Sequence, residues 1–261
     1  MDNVNCQNIE NSVQKYLERI GYNGPLDGSA RTLSALQEAH VHTVPYENLD
    51  ILMGRRLSLE IPDLYQKIVV HRRGGYCFEL NGLFGWLLRK LSYPVTDYFA
   101  RFLRDETTIP MRRHRVLRVE AEGQTYICDV GVGGPSPARP LLLVESLVQR
   151  QGDEAYRFQK DPLLGWVVQE FRHGEWSPYY SFTEDPQLPV DFVATSYYCE
   201  TSPDSIFRKE AMISIRTAEG RNTVAGKEFR IFSRDGVRTF VPETEEAYRE
   251  ALRTYFGIVL D

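Results

Sequence analysis

The segment RRGGYCFELNGLFGWLL, residues 72–88, joins a double-glycine turn, a cysteine and an apolar helical pattern. The apolar residues recur on one face of a helix, which we predict to begin near Cys77 and to end at Tyr93-Pro94. At a helix start, free backbone N–H groups and the positive end of the dipole lower the pKa of a thiol and can hold an oxyanion. We therefore interpret Cys77 as a candidate nucleophile, with Arg72 and Arg73 expected to favour its thiolate. A buried structural cysteine is the alternative.

A cysteine nucleophile needs a base and a group that orients the base, and a predicted hairpin supplies both. Residues 115–120 and 125–130 have the composition of strands, and Glu122-Gly123 between them is a hairpin turn signal. This turn makes His114 and Asp129 diagonal neighbours on one face, about 7–8 Å apart between backbones. Asp is also depleted in strands, so its place here is unusual. The alternative is a histidine and an aspartate on a solvated strand face.

Outward from these two segments, the chain changes character twice. Helices are predicted up to about residue 92, then a strand-rich middle, then a smaller mixed end, which indicates an α+β fold and not an alternating doubly wound sheet. The predicted strands cover 96–103, 115–120, 125–130, 141–148, 155–159, 165–171, 178–182, 211–217 and 227–232. A closing helix is predicted near 244–256, with Thr244 as its cap.

The composition is that of an ordinary globular protein, and it excludes several classes. The 261 residues are 42% hydrophobic and 26% charged, which excludes a disordered, collagen-like or coiled-coil chain. A net charge of −5 does not favour nucleic acid or an anionic membrane, and we expect neither as a partner. No stretch is apolar enough to predict a membrane-spanning helix, and the polar N-terminal residues do not resemble a secretory signal.

Four cysteines, Cys6, Cys77, Cys128 and Cys199, are far apart and form no Cys-x-x-Cys pair. We therefore expect free thiols in a reducing cytoplasm, and no zinc site. Cys6, Cys128 and Cys199 lack the setting of Cys77 and are predicted to be inert.

Five blocks of the sequence resemble, in the right order, those of the arylamine N-acetyltransferase family. The three signature blocks are RRGGYCFELNGLFGWLL (72–88), HRVLRVE (114–120) and YICDVGVGG (126–134). PYENLDI (45–51) is similar to the family's upstream block, and TSYYCETSPDSIFRK (195–209) is similar to its downstream block. The resemblance covers nearly the whole chain, and the Arg-Gly-Gly-x-Cys-x-Glu-x-Asn pattern is specific.

This resemblance implies a fold and a reaction. The fold is an N-terminal helical bundle (1–92), a central β-barrel (93–195) and a C-terminal α/β lid (196–261), around a core like that of cysteine proteases and transglutaminases. Cys77, His114 and Asp129 stand at the family's catalytic triad positions. The implied reaction transfers an acetyl group from acetyl-coenzyme A to arylamines, arylhydrazines or N-hydroxyarylamines. It is ping-pong, passes through an acetyl-cysteine and needs no metal.

The resemblance also implies residues that bind the coenzyme and the acceptor. Gly131, Gly133 and Gly134 are expected to line the coenzyme path, with Tyr197, Ser202 and Ser205 as further candidates. Tyr46, Phe102 and Phe192 are expected at the acceptor entrance. Judged without the family, the glycines are explained as a flexible strand exit and the aromatics as core residues. The loop 109–113 is this sequence's own, and Tyr46 replaces the commoner Phe, so acceptor choice stays open.

Other functions are compatible with the same triad. The nearest is an amide synthase of the same fold, which would close a polyketide macrolactam from a tethered acyl group. A related transferase that uses malonyl- or propionyl-coenzyme A is also open. A cysteine protease or transglutaminase is disfavoured by the flanking blocks, and a non-catalytic binding protein is disfavoured by the intact Cys-His-Asp set. The sequence predicts no oligomeric state.

Overall fold

The N-terminal part of the chain is helical, as predicted. A computed structural model describes the backbone of residues 3–260 and the side chains of residues 10–260, so the prediction for Cys6 lies outside the described residues. The helices are α1 (Asn3–Ile20), α2 (Ala30–Thr43), α3 (Leu49–Leu52), α4 (Ile61–Tyr65) and α5 (Cys77–Lys90), and a π-helical turn (Gln66–Val70) extends α4. Ser29 caps α2 by accepting a hydrogen bond from the Thr32 N–H at 3.1 Å.

Helix α5 is the central element of the first core. Its apolar residues are buried on nearly every side, which explains why their spacing is denser than that of a surface helix. Tyr16 and Leu33 pack against it from α1 and α2 within one cluster. Because α5 begins at Cys77, this packing fixes the position of the cysteine relative to the whole bundle.

The middle of the chain forms an eight-stranded antiparallel sheet that closes nearly into a barrel. Its strands are β1 (Val95–Phe102), β2 (His114–Ala121), β3 (Gln124–Cys128), β4 (Leu141–Leu142), β5 (Gln149–Gln151), β6 (Glu154–Asp161), β7 (Gly165–Arg172) and β8 (Glu175–Gln187). They lie in the order β4-β3-β2-β1-β8-β7-β6-β5. The strand predicted over 141–148 is wrong beyond Leu142, because the chain there leaves the sheet as a loop.

Glutamine side chains bridge the two edge strands where no backbone ladder joins them. The amide of Gln149 bonds the backbone N–H and C=O of Leu142 at 2.7 and 2.9 Å. The amide of Gln151 bonds the N–H and C=O of Arg139, both at 2.8 Å. Each primary amide therefore acts like a peptide group of the missing strand partner, and the edges are not left open.

The β2–β3 hairpin has the register that the turn predicted. Glu122 and Gly123 both have positive φ, of 51° and 74°, as a two-residue type I′ turn requires. Leu117 lies opposite Cys128, so Asp129 follows the last paired residue of β3 and comes close to His114 at the start of β2. The hairpin brings the two functional side chains to one end of the barrel.

The last third of the chain contains a second sheet and two helices. Its elements are α6 (Asp191–Thr201), a 3₁₀ turn (Ile206–Arg208), β9 (Met212–Thr217), β10 (Gly220–Ala225), β11 (Glu228–Ser233), β12 (Gly236–Phe240) and α7 (Glu245–Phe256). The sequence predicted β9, β11 and α7, and Thr244 caps α7 by accepting from the Ala247 N–H at 3.1 Å. Helix α6, β10 and β12 were not predicted.

Helix α6 crosses the predicted boundary between residues 195 and 196, and Phe192 and Cys199 on this helix belong to the first core. The boundary at residue 92 falls between α5 and β1. Within residues 3–260, no helix combines the length and the apolar character needed to cross a membrane.

Candidate active site

Cys77 is the first residue of α5 and is only 2% exposed. The carboxylate of Glu79, in the first turn of the helix, accepts a hydrogen bond from the backbone N–H of Tyr76 at 3.1 Å. Lys67 in turn binds Glu79 at 2.7 Å. The backbone N–H groups of Phe78 and Arg115 face the sulfur and favour its charged form. The local sequence thus places the cysteine at a helix start surrounded by backbone donors.

His114 and Asp129 form a buried pair beside the cysteine. The Nε2 atom of His114 lies 2.6 Å from Oδ2 of Asp129, and both side chains are buried. The other carboxylate oxygen accepts hydrogen bonds from Nδ2 of Asn81 and the backbone N–H of Gly131, both at 2.9 Å. Both oxygens of Asp129 are therefore engaged, and its orientation toward the imidazole is fixed.

Cys77 and His114 line the same cavity. Because Nε2 faces Asp129, the ring atom left for the cysteine is Nδ1. The thiol donates to the backbone carbonyl of Arg113, at 3.6 Å from sulfur to oxygen. A buried cysteine at a helix start next to a His–Asp pair is the arrangement found in enzymes with a cysteine nucleophile.

Burial is the main influence on the Cys77 thiol, and it raises the pKa well above the ordinary value. Nearby Cys199 and Asp129 raise this pKa further, while the two backbone N–H groups lower it. The expectation that Arg72 and Arg73 favour the thiolate is wrong. Arg73 is committed to buried ion pairs with Glu47 at 2.7 Å and Asp50 at 3.1 Å, and Arg72 is exposed.

The cavity at the cysteine has a volume of about 210 Å³ and is mainly apolar. Among the predicted residues, it is lined by Tyr46, Cys77, Phe102, His114, Gly131, Gly133 and Gly134. A Cβ on Gly131 would lie 2.6 Å from the Cα of Cys77, and one on Gly133 would lie 2.5 Å from the ring of Tyr46. Close approach of strand, helix and ring therefore requires glycine at both positions.

The other predicted binding residues do not line this cavity. Phe192 is fully buried, and its ring packs against Phe99 at 4.5 Å between centroids, because it lies on the inner face of α6. Ser205 is buried in a turn, where its hydroxyl donates to the Cys199 carbonyl and accepts from the Phe207 N–H. Tyr197 is 60% exposed, and Ser202 accepts from the Asp204 N–H in the next turn.

The sequence argument gave no individual role to several lining residues: Arg104, Arg113, Val132, Ile206, Phe207 and Met212. The apolar ones gave no signal because apolar side chains next to a loop look alike whether they face a cavity or a core, and the two arginines gave none because most charged side chains face solvent. Asn81, the holder of Asp129, stands in the Cys-x-Glu-x-Asn pattern, so the motif itself marked that position. Among the side chains of residues 10–260, no group of three or more His, Cys, Asp or Glu is arranged to hold a metal ion.

The chain is similar to known proteins over most of its length. A family model described as N-acetyltransferase matches residues 29–261. A protein named arylamine N-acetyltransferase from Mycobacterium bovis is 34% identical over 93% of this chain and 88% of its own length. One with the same name from Escherichia coli is 36% identical over 80% of this chain and 74% of its own length.

Solved structures give the same result. The arylamine N-acetyltransferase of Salmonella typhimurium superposes with a TM-score of 0.89 at 29% identity, covering 95% of this chain and 91% of its own. The Mycobacterium marinum arylamine N-acetyltransferase in complex with CoA gives 0.86 at 35% identity, covering 94% and 92%. The fold and the site describe an acyltransferase. The chain belongs to the arylamine N-acetyltransferase family.

Proposed function

We propose that this protein transfers the acetyl group of acetyl-coenzyme A to the nitrogen of arylamines, arylhydrazines or N-hydroxyarylamines, through an acetyl-cysteine on Cys77. The observation that carries the proposal is the meeting of Cys77 and His114 at one apolar cavity, with Asp129 held 2.6 Å behind the imidazole. The CoA bound by the Mycobacterium marinum relative supports the donor, and the arylamine N-acetyltransferase name of the other relatives supports the acceptor class.

In the first half-reaction, Nδ1 of His114 takes the proton of Cys77 as the sulfur attacks the thioester carbonyl. Asp129 stabilises the imidazolium that forms. The backbone N–H groups of Phe78 and Arg115, which favour the thiolate, are the donors we propose for the tetrahedral oxyanion. Collapse of the intermediate releases coenzyme A as the thiol, which takes the proton from His114, and leaves an acetyl-Cys77 thioester.

In the second half-reaction, an aromatic amine enters the cavity that coenzyme A has left. Its nitrogen attacks the acetyl carbon, His114 takes a proton from the nitrogen, and the thiol of Cys77 is restored as the amide leaves. The order is ping-pong because both substrates use the same carbon and the same cavity. A thioester is less stable than an amide, so the transfer needs no further energy source.

The surroundings of the sulfur also suit the donor. Gly131, Gly133 and Gly134 form one wall without side chains, which lets the narrow arm of a coenzyme approach Cys77. Tyr46 and Phe102 provide aromatic surface for a planar acceptor. We keep these five residues as the proposed binding set, and the Tyr46 hydroxyl adds a polar group that Phe would not have.

The rivals differ from this proposal in their donor. An amide synthase of the same fold would not use free acetyl-coenzyme A, and a malonyl or propionyl transferase would prefer another acyl group. Incubation with acetyl-, propionyl- and malonyl-coenzyme A in separate tubes, without amine, is therefore decisive. We expect one acetyl mass on the peptide that contains Cys77, removed when an arylamine is added. An adduct on another cysteine, or none with any donor, would refute the proposal.

Two broader predictions belong to the same proposal. We propose that the chain folds as a helical part, a barrel and a smaller mixed part that covers the site as a lid, with the third part beginning at α6. We also propose a reducing, cytoplasmic location, on the ground that buried Cys77, Cys128 and Cys199 are all free thiols.

A further inference from the structure

Asn48, in the PYENLDI block, forms side-chain hydrogen bonds to the backbone of the last third of the chain. Its Nδ2 donates to the backbone carbonyls of Phe207 at 2.8 Å and Glu210 at 2.9 Å. Its Oδ1 accepts from the backbone N–H of Met212 at 2.8 Å. Asn48 is 2% exposed; its bond to Phe207 is buried, and those to Glu210 and Met212 are partly buried.

The segment that Asn48 holds is one wall of the cavity at Cys77. Ile206, Phe207 and Met212 all line that cavity. Between the 3₁₀ turn that ends at Arg208 and the strand that begins at Met212, the chain has no regular hydrogen-bond ladder of its own. The amide of Asn48 therefore forms hydrogen bonds with backbone groups before, within and after this irregular stretch.

Tyr46, two residues before Asn48 in the chain, also reaches the cavity. The backbone of Tyr46 pairs with Ser214 through two hydrogen bonds, of 2.8 and 3.0 Å, and its ring lines the cavity. Residues 46–48 therefore set the distance between the Tyr46 ring and the Phe207–Met212 wall. A change at Asn48 acts on the width of the cavity without touching the sulfur or the imidazole.

We propose that Asn48 is a positioning residue that limits the size of the acceptor that reaches Cys77. This inference rests on the proposed function for the identity of the acceptor. The effect of Asn48 on the cavity wall does not depend on that function. When the amide is removed, the 206–212 wall loses its bonds to Asn48 while the backbone bonds between Tyr46 and Ser214 remain. The wall can then move away from the cavity, and wider aromatic amines gain access. Replacement by aspartate is equally informative, because a carboxylate cannot donate to the two carbonyls.

The test compares Asn48→Ala and Asn48→Asp with Asn222→Ala as the matched control. Asn222 is also buried in the last third of the chain, accepts from the Phe232 N–H at 3.1 Å and donates to the Tyr255 carbonyl at 3.3 Å, and it does not line the cavity. The readout is kcat/KM for 2-aminofluorene divided by kcat/KM for aniline. A purely structural loss lowers both values equally and leaves the ratio unchanged.

We expect the ratio to rise about tenfold in both Asn48 variants, as the loss of two or three hydrogen bonds allows, and to stay unchanged in Asn222→Ala. A wild-type ratio in both Asn48 variants, or an equal rise in Asn222→Ala, would overturn the inference. If Asn48→Ala does not fold, Asn48→Asp decides, since it keeps the size of the side chain and the acceptor for Met212.

A second readout does not depend on acetyl transfer. Cys77 is alkylated with iodoacetamide and with N-(1-naphthyl)iodoacetamide, and the two rates are compared by the mass of its peptide. We expect the rate with the naphthyl reagent, divided by the rate with iodoacetamide, to rise in the Asn48 variants and to stay unchanged in Asn222→Ala. If the wild-type protein acetylates no amine, the proposed function fails while this ratio still tests Asn48.

Discussion

The proposed reaction depends on which nitrogen of the His114 ring binds Asp129 and which one is left for the thiol proton. Asp129 holds Nε2, and its second oxygen is fixed by Asn81 and by the N–H of Gly131. In the proposed mechanism Nε2 carries the proton that is donated to the carboxylate, which leaves Nδ1 to accept the thiol proton. Asp129 would thus select the tautomer that the mechanism requires.

Asp129→Asn tests this selection at nearly constant shape. The amide oxygen can still accept from Asn81 and Gly131, but its NH₂ then faces Nε2 and favours the tautomer with the proton on Nδ1. That tautomer cannot take the thiol proton. We expect a loss of turnover of about 10⁴-fold, by analogy with other triads, and an unchanged circular dichroism spectrum. Near-normal turnover would assign Asp129 a structural role only.

The ionisation of Cys77 is a second question at the residue scale. Burial raises the pKa of the thiol, and the arginines expected to oppose this are elsewhere. In the proposed mechanism the thiol proton passes to His114 as the thiolate forms. In His114→Gln this partner is absent. Burial, Cys199 and Asp129 still raise the pKa of the thiol, and the backbone N–H groups still lower it.

We expect the rate of alkylation of Cys77 by iodoacetamide to be higher in the wild type than in His114→Gln at every pH from 6 to 8. In the variant, the raised pKa makes the rate rise about tenfold per pH unit throughout this range. The rise continues above pH 8.5, which is about the pKa of an ordinary thiol. The measurement is the second-order rate against pH, with acetyl-coenzyme A as a protecting ligand. Coincident profiles for the two proteins would show that His114 acts only once substrate is bound.

At the scale of elements, the β2–β3 hairpin controls how strand and helix meet. Gly123 lies in its turn with φ of 74° and nothing within 4 Å of a Cβ, whereas Gly131 lies just beyond β3 against the Cα of Cys77. The same substitution therefore has different consequences at the two positions.

We expect Gly123→Ala to lower the free energy of unfolding by about 1–2 kcal/mol, because an L-residue is strained at positive φ, with kcat unchanged. Gly131→Ala must displace the start of α5, since its Cβ would lie 2.6 Å from the Cα of Cys77, so kcat falls strongly. Urea unfolding and single-turnover acetylation measure the two effects. A kcat that falls equally in both variants would contradict the local explanation.

The elements that the sequence predicted are those whose signals are local. The hairpin register followed from one turn, and α5 followed from its apolar spacing and its glycine turn. Helix α6 was missed because Phe192, Ser196 and Cys199 face inward while Val193 and Tyr197 are exposed, so no clear apolar stripe marks it. Its Phe192 was assigned to the acceptor entrance through the family resemblance. Judged without the family it was explained as a core aromatic, and its burial against Phe99 agrees with that explanation.

The charges near the cysteine also could not be predicted from local sequence signals. Adjacent arginines looked like a source of positive potential for Cys77, but Glu47 and Asp50 arrive from a different part of the chain and neutralise Arg73. Ion pairs of this kind form between residues more than twenty positions apart. Their partners depend on the tertiary arrangement, which no local pattern encodes.

At the scale of the whole molecule, the three parts share cores and ion pairs. Phe192 and Phe207 from the last third lie in the core of the helical part. Arg216 of β9 binds Glu154 of the barrel at 2.6 Å. Because the active-site cavity has walls from all three parts, its shape depends on the stability of the entire fold.

One buried group couples that stability to pH. His40 on α2 is completely buried, and its Nδ1 shares a hydrogen bond of 3.1 Å with the hydroxyl of Tyr16. Among the side chains of residues 10–260 and the described backbone, its Nε2 has no hydrogen-bond partner. Burial, with a smaller contribution from the charge of Arg19, lowers the pKa of His40 from 6.5 to about 3. The folded protein therefore holds this ring neutral over a range of pH in which the unfolded chain binds a proton.

The sign of the resulting dependence follows directly. Below pH 6.5 the unfolded state takes up a proton at His40 that the folded state refuses until about pH 3, so stability falls as pH falls through this window, by up to about 1.4 kcal/mol per pH unit. We expect His40→Gln to be less stable at pH 7 but to lose less on acidification than the wild type. His42→Gln, on the same helix with a half-buried ring, is the control and should keep the wild-type slope. Urea unfolding at pH 7.0, 6.0, 5.0 and 4.5 gives the slopes, and parallel slopes for wild type and His40→Gln would mean that His40 does not govern the acid limb.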